Sequence, residues 1–521
     1  MTKSQSTVQF KKQFPRNLFF QSSLFISRLV VGICLIPYLI NHLGSAAYGL
    51  IPIAAIMTEY VNIISQSISG AIGRFLSIAI QKKNYVEANK VFNTAFFSYL
   101  ALSCIQIPIF ALIIINSKSI LNIPEALYKD AVILFTCSAT AFLINLATSI
   151  YCVPLYAQNR LDIARSIEII SHILRLIGTI SLFVIFEPGL RYVGYVELII
   201  RIFASISNII LGKLTAPFLK LNFFHFDWSK VKQLTTMGGW LMISYIGTLF
   251  TLRIDVWLCN KFINAEAAGE YAVIIPWPNY LRQSAHILSG VINPMALIYF
   301  ARSEINNLIR MNNLAVRLLA LIFTIPVCIF CVFSSSFLRL WLGDSYTHLA
   351  PLVIILTIHL FINLSVDPLF NIQTVLNKVK WPALFTLFIG VVNVGLAIFM
   401  ITFLNWGLYG VAITSVFVLT LKNAIFTPIY AAKILHYPWH YFIHSFVPGL
   451  LFFCCLIVIG IGLNHFFNPQ SWVQLIILSV IIGTMGSIIM WFILSKEDRQ
   501  IIFSITPSPL KPLIAKFTMS D

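Results

Sequence analysis

Apolar residues occupy fourteen long runs along the chain, separated by short polar stretches. Each run is about 20 residues or longer, the length that a helix rising about 1.5 Å per residue needs to cross about 30 Å of hydrocarbon. The pattern therefore predicts an all-α, polytopic membrane protein with about 14 transmembrane helices. The predicted spans are 18–40, 47–72, 91–115, 130–154, 166–187, 192–212, 236–258, 267–293, 313–336, 347–371, 382–404, 407–431, 445–464 and 473–494.

The polar positions of the second span recur in the eighth span 220 residues later. In each span they step i, i+3, i+7, i+10, i+11 and i+14, which is one helix face. Asn145 in span 4 matches Asn363 in span 10 at a similar offset of 218 residues. We infer two six-helix bundles in pseudo-repeat plus two C-terminal helices, a transporter layout. The two series are Glu59, Asn62, Gln66, Ser69, Gly70 and Gly73, and Asn279, Arg282, His286, Ser289, Gly290 and Asn293.

The charges are few and strongly positive, with 35 Lys and Arg against 18 Asp and Glu among 521 residues. Only 10% of the residues are charged, which excludes an ordinary soluble enzyme. The two terminal segments and every second loop hold 24 of the cations, whereas the opposite loops hold five. The positive-inside rule therefore places both termini in the cytoplasm. The net charge of +17 reports this topology, so we expect no nucleic-acid partner.

Loop lengths and charges together divide the chain into six segments. The stretch between the two bundles carries Phe223, Phe224, Phe226 and Trp228 among lysines, which is typical of a segment at the membrane surface. The predicted segments are a cytoplasmic leader (1–17), an N-lobe (18–212), a cytoplasmic interfacial linker (213–235), a C-lobe (236–431), two C-terminal spans (445–494) and a cytoplasmic tail (495–521).

Six cations lie at least five residues from either end of a predicted span, where each costs a few kcal/mol unless it faces water or a partner. We interpret Arg253 and Lys422 as side chains that snorkel to the membrane interface. The six are Arg28, Arg175, Arg201, Arg253, Arg282 and Lys422.

Arg28, Arg175 and Arg282 lie near the middle of their spans. We expect these three to line a water-filled cavity that binds an anionic substrate, with Arg201 as the next candidate. Glu197 lies four residues before Arg201, so mutual neutralisation of these two is an alternative.

Three acids in the spans, Glu59, Asp255 and Asp367, have two open roles. They are either charge partners of the arginines or sites that couple transport to a proton or another cation. Uncharged polar residues on the same helix faces are expected to line the cavity. These are Asn62, Gln66, Asn145, His286 and Asn363.

The sequence offers no catalytic or metal-binding constellation. Cys328 and Cys331 form CxxC inside an apolar run, and Pro438 interrupts the histidine series His436, His440 and His444, so neither indicates a metal site. Without a nucleotide-binding motif, transport has to draw on an H⁺ or Na⁺ gradient, the membrane potential or substrate supply. We therefore expect no cofactor, no metal and no enzymatic activity.

Several short motifs resemble one transporter family. Asn41-His-Leu-Gly-Ser-Ala-Ala-Tyr-Gly-Leu50 is similar to the LG-x-x-x-YG turn of Wzx-type polysaccharide flippases, which belong to the polysaccharide transporter family of the MATE/MOP superfamily. Ala268-Gly-Glu-Tyr-Ala272 is similar to the second-half G-x-Y of that family. Tyr156-Ala-Gln-Asn-Arg-Leu-Asp162 and Leu338-Arg-Leu-Trp-Leu-Gly343 add to the resemblance, which covers about residues 15–495.

The resemblance implies a flippase that moves an undecaprenyl-pyrophosphate-linked oligosaccharide across the bacterial cytoplasmic membrane by alternating access. Its implied partners are that lipid-linked oligosaccharide, membrane lipids and other polysaccharide-assembly proteins. A MATE-like cation-coupled exporter of small molecules is the alternative function. A glycan ligase or polymerase is disfavoured, because such enzymes usually carry a large outer catalytic loop and the longest outer loop here is 116–129.

Overall fold

The computed structural model describes residues 3–302, 304–494 and 498–499, and in these ranges the regular elements are helices, with no strand. A π-helix, Leu421–Phe426, joins the nineteenth and twentieth α-helices. The α-helices are α1 (Lys3–Leu43), α2 (Ser45–Gln81), α3 (Tyr85–Ile115), α4 (Ser117–Ile120), α5 (Tyr128–Thr148), α6 (Val153–Ala157), α7 (Leu161–Ile185), α8 (Leu190–Thr215), α9 (Trp228–Leu252), α10 (Asp255–Phe262), α11 (Ala265–Ile274), α12 (Pro276–Ala301), α13 (Ile305–Val332), α14 (Ser334–Leu342), α15 (Ala350–Ile358), α16 (Leu360–Asn363), α17 (Asp367–Val375), α18 (Lys380–Thr402), α19 (Gly407–Thr420), α20 (Thr427–Ile434), α21 (Val447–Phe467) and α22 (Trp472–Ile493).

Twelve helical segments in the described part of the chain are long and apolar enough to cross a membrane. A thirteenth span is formed if Met242–Leu252 and Asp255–Phe262, which meet at an angle of 50°, act as one broken helix. The apolar run predicted at 267–293 is divided between α11 and α12. The prediction of an all-α, polytopic membrane protein is confirmed.

Contacts divide the chain into two compact units. The first unit comprises Met1–Pro276 and Lys380–Ser415. In it α1 packs on α7, α5 on α8, α2 on α11 and α9 on α18. The predicted leader continues directly into the first span, because α1 begins at Lys3.

The second unit comprises Trp277–Val379 and Val416–Asp521, with α13 at its centre against α21, α22 and the broken helices α15 to α17. Phe361 stacks on Phe453 with ring centroids 4.7 Å apart. Cys328 and Cys331 are buried in the same apolar core. Of the predicted tail at 495–521, all but Asp498 and Arg499 lies outside the described residues.

The 220-residue offset of the repeat appears in the helix boundaries of the first unit, since α2 begins at Ser45 and α11 at Ala265. These helices cross at two glycines with the same offset, Gly49 and Gly269. A Cβ atom on Gly49 would lie 2.7 Å from the Gly269 nitrogen, and one on Gly269 would lie 2.0 Å from the Ser45 carbonyl oxygen. The backbones can approach this closely only because neither position has a side chain.

The linker that follows α8 is fixed to the surface of α3. Asn89 donates to the Phe218 carbonyl (2.9 Å) and accepts from the Lys220 amide (2.8 Å). Asn93, four residues further along α3, donates to the Lys220 carbonyl (2.9 Å) and accepts from the Asn222 amide (2.7 Å). Asn93 is fully buried, so these bonds are shielded from water.

The linker then leads into α9 through a capped turn. Thr94 accepts a hydrogen bond from the Asp227 amide (3.0 Å). Asp227 caps α9 by accepting from the Ser229 amide (2.9 Å). The hydroxyl of Ser229 also donates to this carboxylate, and mainly for that reason the pKa of Asp227 lies below its usual range. The rings of Phe224 and Trp228 are exposed.

Candidate functional site

One face of α7 carries a charged stripe. Arg165, Glu168, His172 and Arg175 follow at steps of three and four residues, which places them on the same side of the helix. Glu168 accepts from Arg28 of α1 (3.0 Å) and from Arg165 (2.6 Å). The Nε of Arg28 lies 3.3 Å from Nε2 of His172. The stripe therefore joins α1 to α7 through one carboxylate that two arginines share.

A second shared carboxylate joins α7 to α8. Glu197 lies 2.5 Å from Arg175 and 3.5 Å from Arg201, which follows it on α8. Arg201 also donates to the amide oxygen of Asn145 on α5 (3.3 Å). The structure thus contains the Glu197–Arg201 pair that the spacing indicated, and it adds Arg175 to the same carboxylate.

These side chains face a cavity of about 320 Å³ within the first unit. The side chains of Arg175 and Arg201 are 35% and 36% exposed although they lie in the middle of long apolar helices. The cavity therefore offers charge at a depth where an isolated ion would be costly. Its polar lining consists of Thr58, Glu59, Ser138, Asn145, Arg175, Glu197 and Arg201.

The Arg175–Glu197–Arg201 cluster holds two positive charges against one negative charge. Glu197 neutralises only one of Arg175 and Arg201, so this cluster keeps one positive charge. Glu168 is likewise shared by Arg28 and Arg165. An arginine whose guanidinium is already oriented by a carboxylate can offer its remaining N–H groups to a carboxylate or phosphate of a ligand.

Glu59 has a partner that its neighbours in the sequence do not suggest. Arg253, at the end of α9, lies 3.1 Å from the Glu59 carboxylate on α2. Our interpretation of Arg253 as a snorkelling side chain is therefore wrong, because the break between α9 and α10 turns it toward α2. Glu59 is itself one of the residues that line the cavity, so this ion pair lies at the cavity wall.

Asp255, at the start of α10, is held by hydroxyl groups and is only 4% exposed. Tyr271 donates to its carboxylate (2.8 Å), and so does Ser415 (2.9 Å). The Ser415 hydroxyl also lies 3.3 Å from the amide oxygen of Asn393. A buried carboxylate surrounded by hydroxyl and amide oxygens is suited to hold a proton or a small cation.

The second unit contains the remaining predicted residues. Arg282 donates to Asn279 on the preceding turn of α12 (3.2 Å). One turn further on, His286 lies 2.9 Å from the carboxylate of Asp367 at the start of α17. Arg282 therefore belongs to the second unit, whereas the two arginine clusters belong to the first, and Asp367 has a histidine as its partner.

Three other residues that were expected to line the cavity have different outcomes. Asn363 is buried at the end of α16, where it contacts His359 and donates to Thr420 (3.1 Å), so it joins helices rather than lining open space. Asn62 is partly exposed one turn after Glu59 on α2. The side chain of Gln66 lies outside the described part of the chain.

Some of these contacts could have been predicted from the spacing of residues along one helix or from a short motif, and others could not. Arg165 precedes Glu168 by three residues, a spacing that could have revealed their pair. Tyr271 belongs to the Gly-Glu-Tyr motif, whose role in the structure is to hold Asp255. Asp162 of the Tyr156–Asp162 motif is buried and lies 3.0 Å from Arg16, so this motif fixes α1 to the start of α7.

Comparison with known proteins gives a consistent result at the level of sequence. A family profile described as "Polysaccharide biosynthesis protein" matches residues 42–351. The chain is 28% identical over 501 residues to the "Uncharacterized membrane protein EpsK" of Bacillus subtilis (strain 168), covering 95% of this chain and 97% of that one. It is 24% identical over 396 residues to the "Putative O-antigen transporter" of Shigella flexneri, covering 74% and 90% of the two chains.

Solved structures with a similar fold are transporters. The lipid II flippase MurJ in an inward closed conformation superimposes with a TM-score of 0.66 at 14% identity, covering 91% of this chain and 98% of that one. A multidrug resistance MATE family transporter of the MOP superfamily, in an inward-facing conformation, gives a TM-score of 0.61 at 13% identity, covering 81% and 94%. At such identities the likeness establishes a shared fold.

Proposed function

The chain belongs to the polysaccharide biosynthesis protein family and is a membrane transporter of the flippase type, and on that premise we propose that it moves an undecaprenyl-pyrophosphate-linked oligosaccharide from the cytoplasmic to the outer leaflet. The observation that carries the proposal is the pair of arginine clusters in the first unit, in each of which two guanidinium groups share one carboxylate.

The chemistry of such a substrate suits this cavity. Its sugar and diphosphate groups are hydrophilic and cannot cross hydrocarbon unaided, whereas its isoprenoid chain can remain in the bilayer. A diphosphate presents several oxygens, and the planar guanidinium of arginine binds phosphate with two parallel hydrogen bonds. The surplus positive charge of the Arg175–Glu197–Arg201 cluster favours an anion over the cationic drugs that a MATE-like exporter would carry.

We place the protein in the bacterial cytoplasmic membrane with both termini in the cytoplasm, following the distribution of lysine and arginine. In this orientation, the membrane potential favours export of an anion. Two negative charges that move outward across about 100 mV, inside negative, gain up to about 4–5 kcal/mol at about 2.3 kcal/mol per charge. The transporter therefore needs no nucleotide to drive the headgroup outward.

Coupling to H⁺ or Na⁺ would require a site that binds the ion, and Asp255 is our candidate for it. Its hydroxyl partners can donate to the ionised carboxylate or coordinate a cation beside it. In proteoliposomes, imposed H⁺ and Na⁺ gradients should be compared for the wild type and for Asp255→Asn. If one of the ions drives transport, Asp255→Asn should lose that dependence. Equal responses of the two proteins would exclude Asp255 as the coupling site.

The function is tested by deleting the gene and complementing it with variants expressed at equal levels. Deletion should accumulate an undecaprenyl-linked oligosaccharide in the inner leaflet. Arg175→Gln and Arg201→Gln should restore export poorly. Arg191→Gln is the matched control, because Arg191 lies on the same helix as Arg201 and is absent from the cavity lining.

Two results would contradict the proposal. Normal export with both cavity variants would exclude the cationic cavity. Unchanged glycan together with altered drug sensitivity in the deletion strain would identify an exporter of small molecules instead.

A further inference from the structure

The first unit contains a second cavity, of about 310 Å³, whose character is opposite to that of the arginine-lined one. Its walls are almost wholly apolar, and it is open on one side. Residues of α2, α3, α4, α5 and α10 contribute to the lining. The volume falls at the lower end of the range of cavities that hold small ligands, about 300–1,000 Å³.

Helix α2 forms a wall between the two cavities. Thr58 and Glu59 line the arginine-lined cavity, whereas Met57 and Tyr60 line the apolar one. In the described part of the chain the two cavities have no lining residue in common. A molecule bound in the apolar cavity therefore occupies a site of its own and contacts the opposite face of α2.

One face of α10 changes from apolar to basic along the helix. Ile254, Trp257 and Lys261 follow at steps of three and four residues, which places them on the same side. Ile254 and Trp257 line the cavity, and Lys261 lies one turn beyond them. In the proposed orientation this turn is at the outer surface of the membrane. A hydrocarbon side chain, a tryptophan and a lysine in this order match the acyl chain, the interface and the phosphate of a membrane lipid.

Two hydroxyl groups among the lining residues lack an acceptor. Ser117, at the start of α4, is only 1% exposed, and its hydroxyl has no hydrogen-bond partner among the described residues. The same holds for the hydroxyl of Tyr60. A buried donor that stays unpaired is costly. The ester carbonyl of an acyl lipid can accept from such a hydroxyl, whereas a pure hydrocarbon chain such as an isoprenoid offers no acceptor.

A lysine with donors to spare lies close to Ser117. Lys261 donates to the carbonyl of Ser119, two residues after Ser117 in α4. An ammonium group has three N–H donors, so two remain for a phosphate. Lys118, the other cation beside this part of α4, is engaged by Glu125 at 3.0 Å. Lys261 is therefore the cation that an anionic lipid at the cavity can use.

We propose that the apolar cavity binds one anionic glycerophospholipid of the outer leaflet. One acyl chain fills the space between α2, α3 and α10, an ester carbonyl accepts from Ser117, and the phosphate lies beside Lys261. The bound lipid stabilises the contact of α10 with α2 and α3, because its chain touches all three helices. The inference does not depend on which molecule the protein transports.

The test measures thermal unfolding of the full-length protein in detergent micelles with added phosphatidylglycerol or phosphatidylcholine. Phosphatidylglycerol should raise the melting temperature by about 2–5 °C, and phosphatidylcholine should raise it less. Lys261→Gln should increase the phosphatidylglycerol concentration at half of the shift about tenfold, as expected for the loss of one charge-assisted contact. Lys129→Gln is the matched control, because Lys129 is an outer cation that does not line the cavity.

Ser117→Ala separates a ligand contact from a structural one. Without lipid the variant loses an unpaired buried hydroxyl, so its melting temperature should equal or exceed that of the wild type. With phosphatidylglycerol the concentration at half of the shift should rise about fivefold, which corresponds to one hydrogen bond. Ser119→Ala is the control and should change neither value, because the Ser119 hydroxyl bonds to the Asn116 carbonyl (2.8 Å). A purely structural Ser117 would show the reverse pattern, with a less stable lipid-free protein and an unchanged titration.

The acyl chain is tested with glycerophosphoglycerol, the headgroup without chains, which should leave the melting temperature unchanged. A shift by this headgroup alone would overturn the inference, and so would equal shifts by the two phospholipids in the wild type. Displacement of phosphatidylglycerol by undecaprenyl phosphate would also contradict it, because the cavity would then hold an isoprenoid chain. Accumulation of the lipid-linked intermediate in the deletion strain is measured separately, so the proposed function stands or falls on its own.

Discussion

Gly49 and Gly269, equivalent positions of the internal repeat, touch each other where α2 crosses α11. The contact joins a residue to its own counterpart 220 positions later in the chain. The crossing leaves no room for a side chain on either glycine.

Gly269→Ala should therefore destabilise the protein by about 1–3 kcal/mol, the usual cost of forcing additional atoms into a close-packed contact. Gly290→Ala is the matched control, because a Cβ atom there meets nothing within 4 Å. The melting temperatures of the two purified variants decide the matter. If Gly269→Ala has the same melting temperature as the wild type, the two helices are further apart at this crossing than described.

Glu197→Gln should lower the stability by about 1–2 kcal/mol. The change leaves Arg175 and Arg201 close together without the carboxylate that both contact. The expected loss is smaller than for a fully buried pair, since Glu197 is 26% exposed and water screens part of the repulsion. Glu125→Gln removes the exposed pair with Lys118 and should have almost no effect on thermal unfolding.

The sequence predicted the features that depend on neighbours along a helix. The apolar runs indicated the polytopic fold. The four-residue spacing of Glu197 and Arg201 likewise anticipated their ion pair. Each of these inferences uses only helical geometry, which holds before any tertiary contact is known.

Contacts between helices that are distant in the sequence could not be predicted from helical geometry. Glu59 and Arg253 are far apart in the chain, and the break after α9 brings them together. The break falls at Arg253 and Ile254, and neither residue is a proline or a glycine that would have revealed it. Asn363 matched the cavity-lining pattern by position but is buried against His359 and Thr420. A helix face indicates which residues point the same way, whereas the neighbouring helix decides whether they meet water or protein.

The fixed linker predicts a local effect of Asn93→Ala. The variant loses two buried hydrogen bonds to the linker backbone, each worth about 0.5–1.5 kcal/mol, and should release residues 218–222 from α3. Trypsin added to the cytoplasmic side of membrane vesicles should then cleave faster at Lys220. Asn116→Ala is the control, because the Asn116 side chain bonds to the Leu112 carbonyl of its own helix. Unchanged cleavage of Asn93→Ala would mean that other contacts hold the linker.

The proposed orientation predicts the activity of reporter fusions. Alkaline phosphatase is active only outside the cytoplasm, so fusions after residues 122 and 468 should be active and fusions after residues 83 and 436 inactive. The four sites lie in loops at alternating ends of the predicted spans. The reverse pattern would mean that the protein has the opposite orientation in the membrane. The membrane potential would then oppose the proposed direction of transport.

The attachment of the linker to α3 also bears on how the protein is made. Asn89, Asn93 and Thr94 are synthesised well before residues 218–227, so the partners of the linker are in place when it leaves the ribosome. Domains generally fold as units during synthesis, with the N-terminal part first. The linker can therefore dock before α10 and α11 exist, and the capped turn at Asp227 sets where α9 starts while the rest of the chain is still being translated.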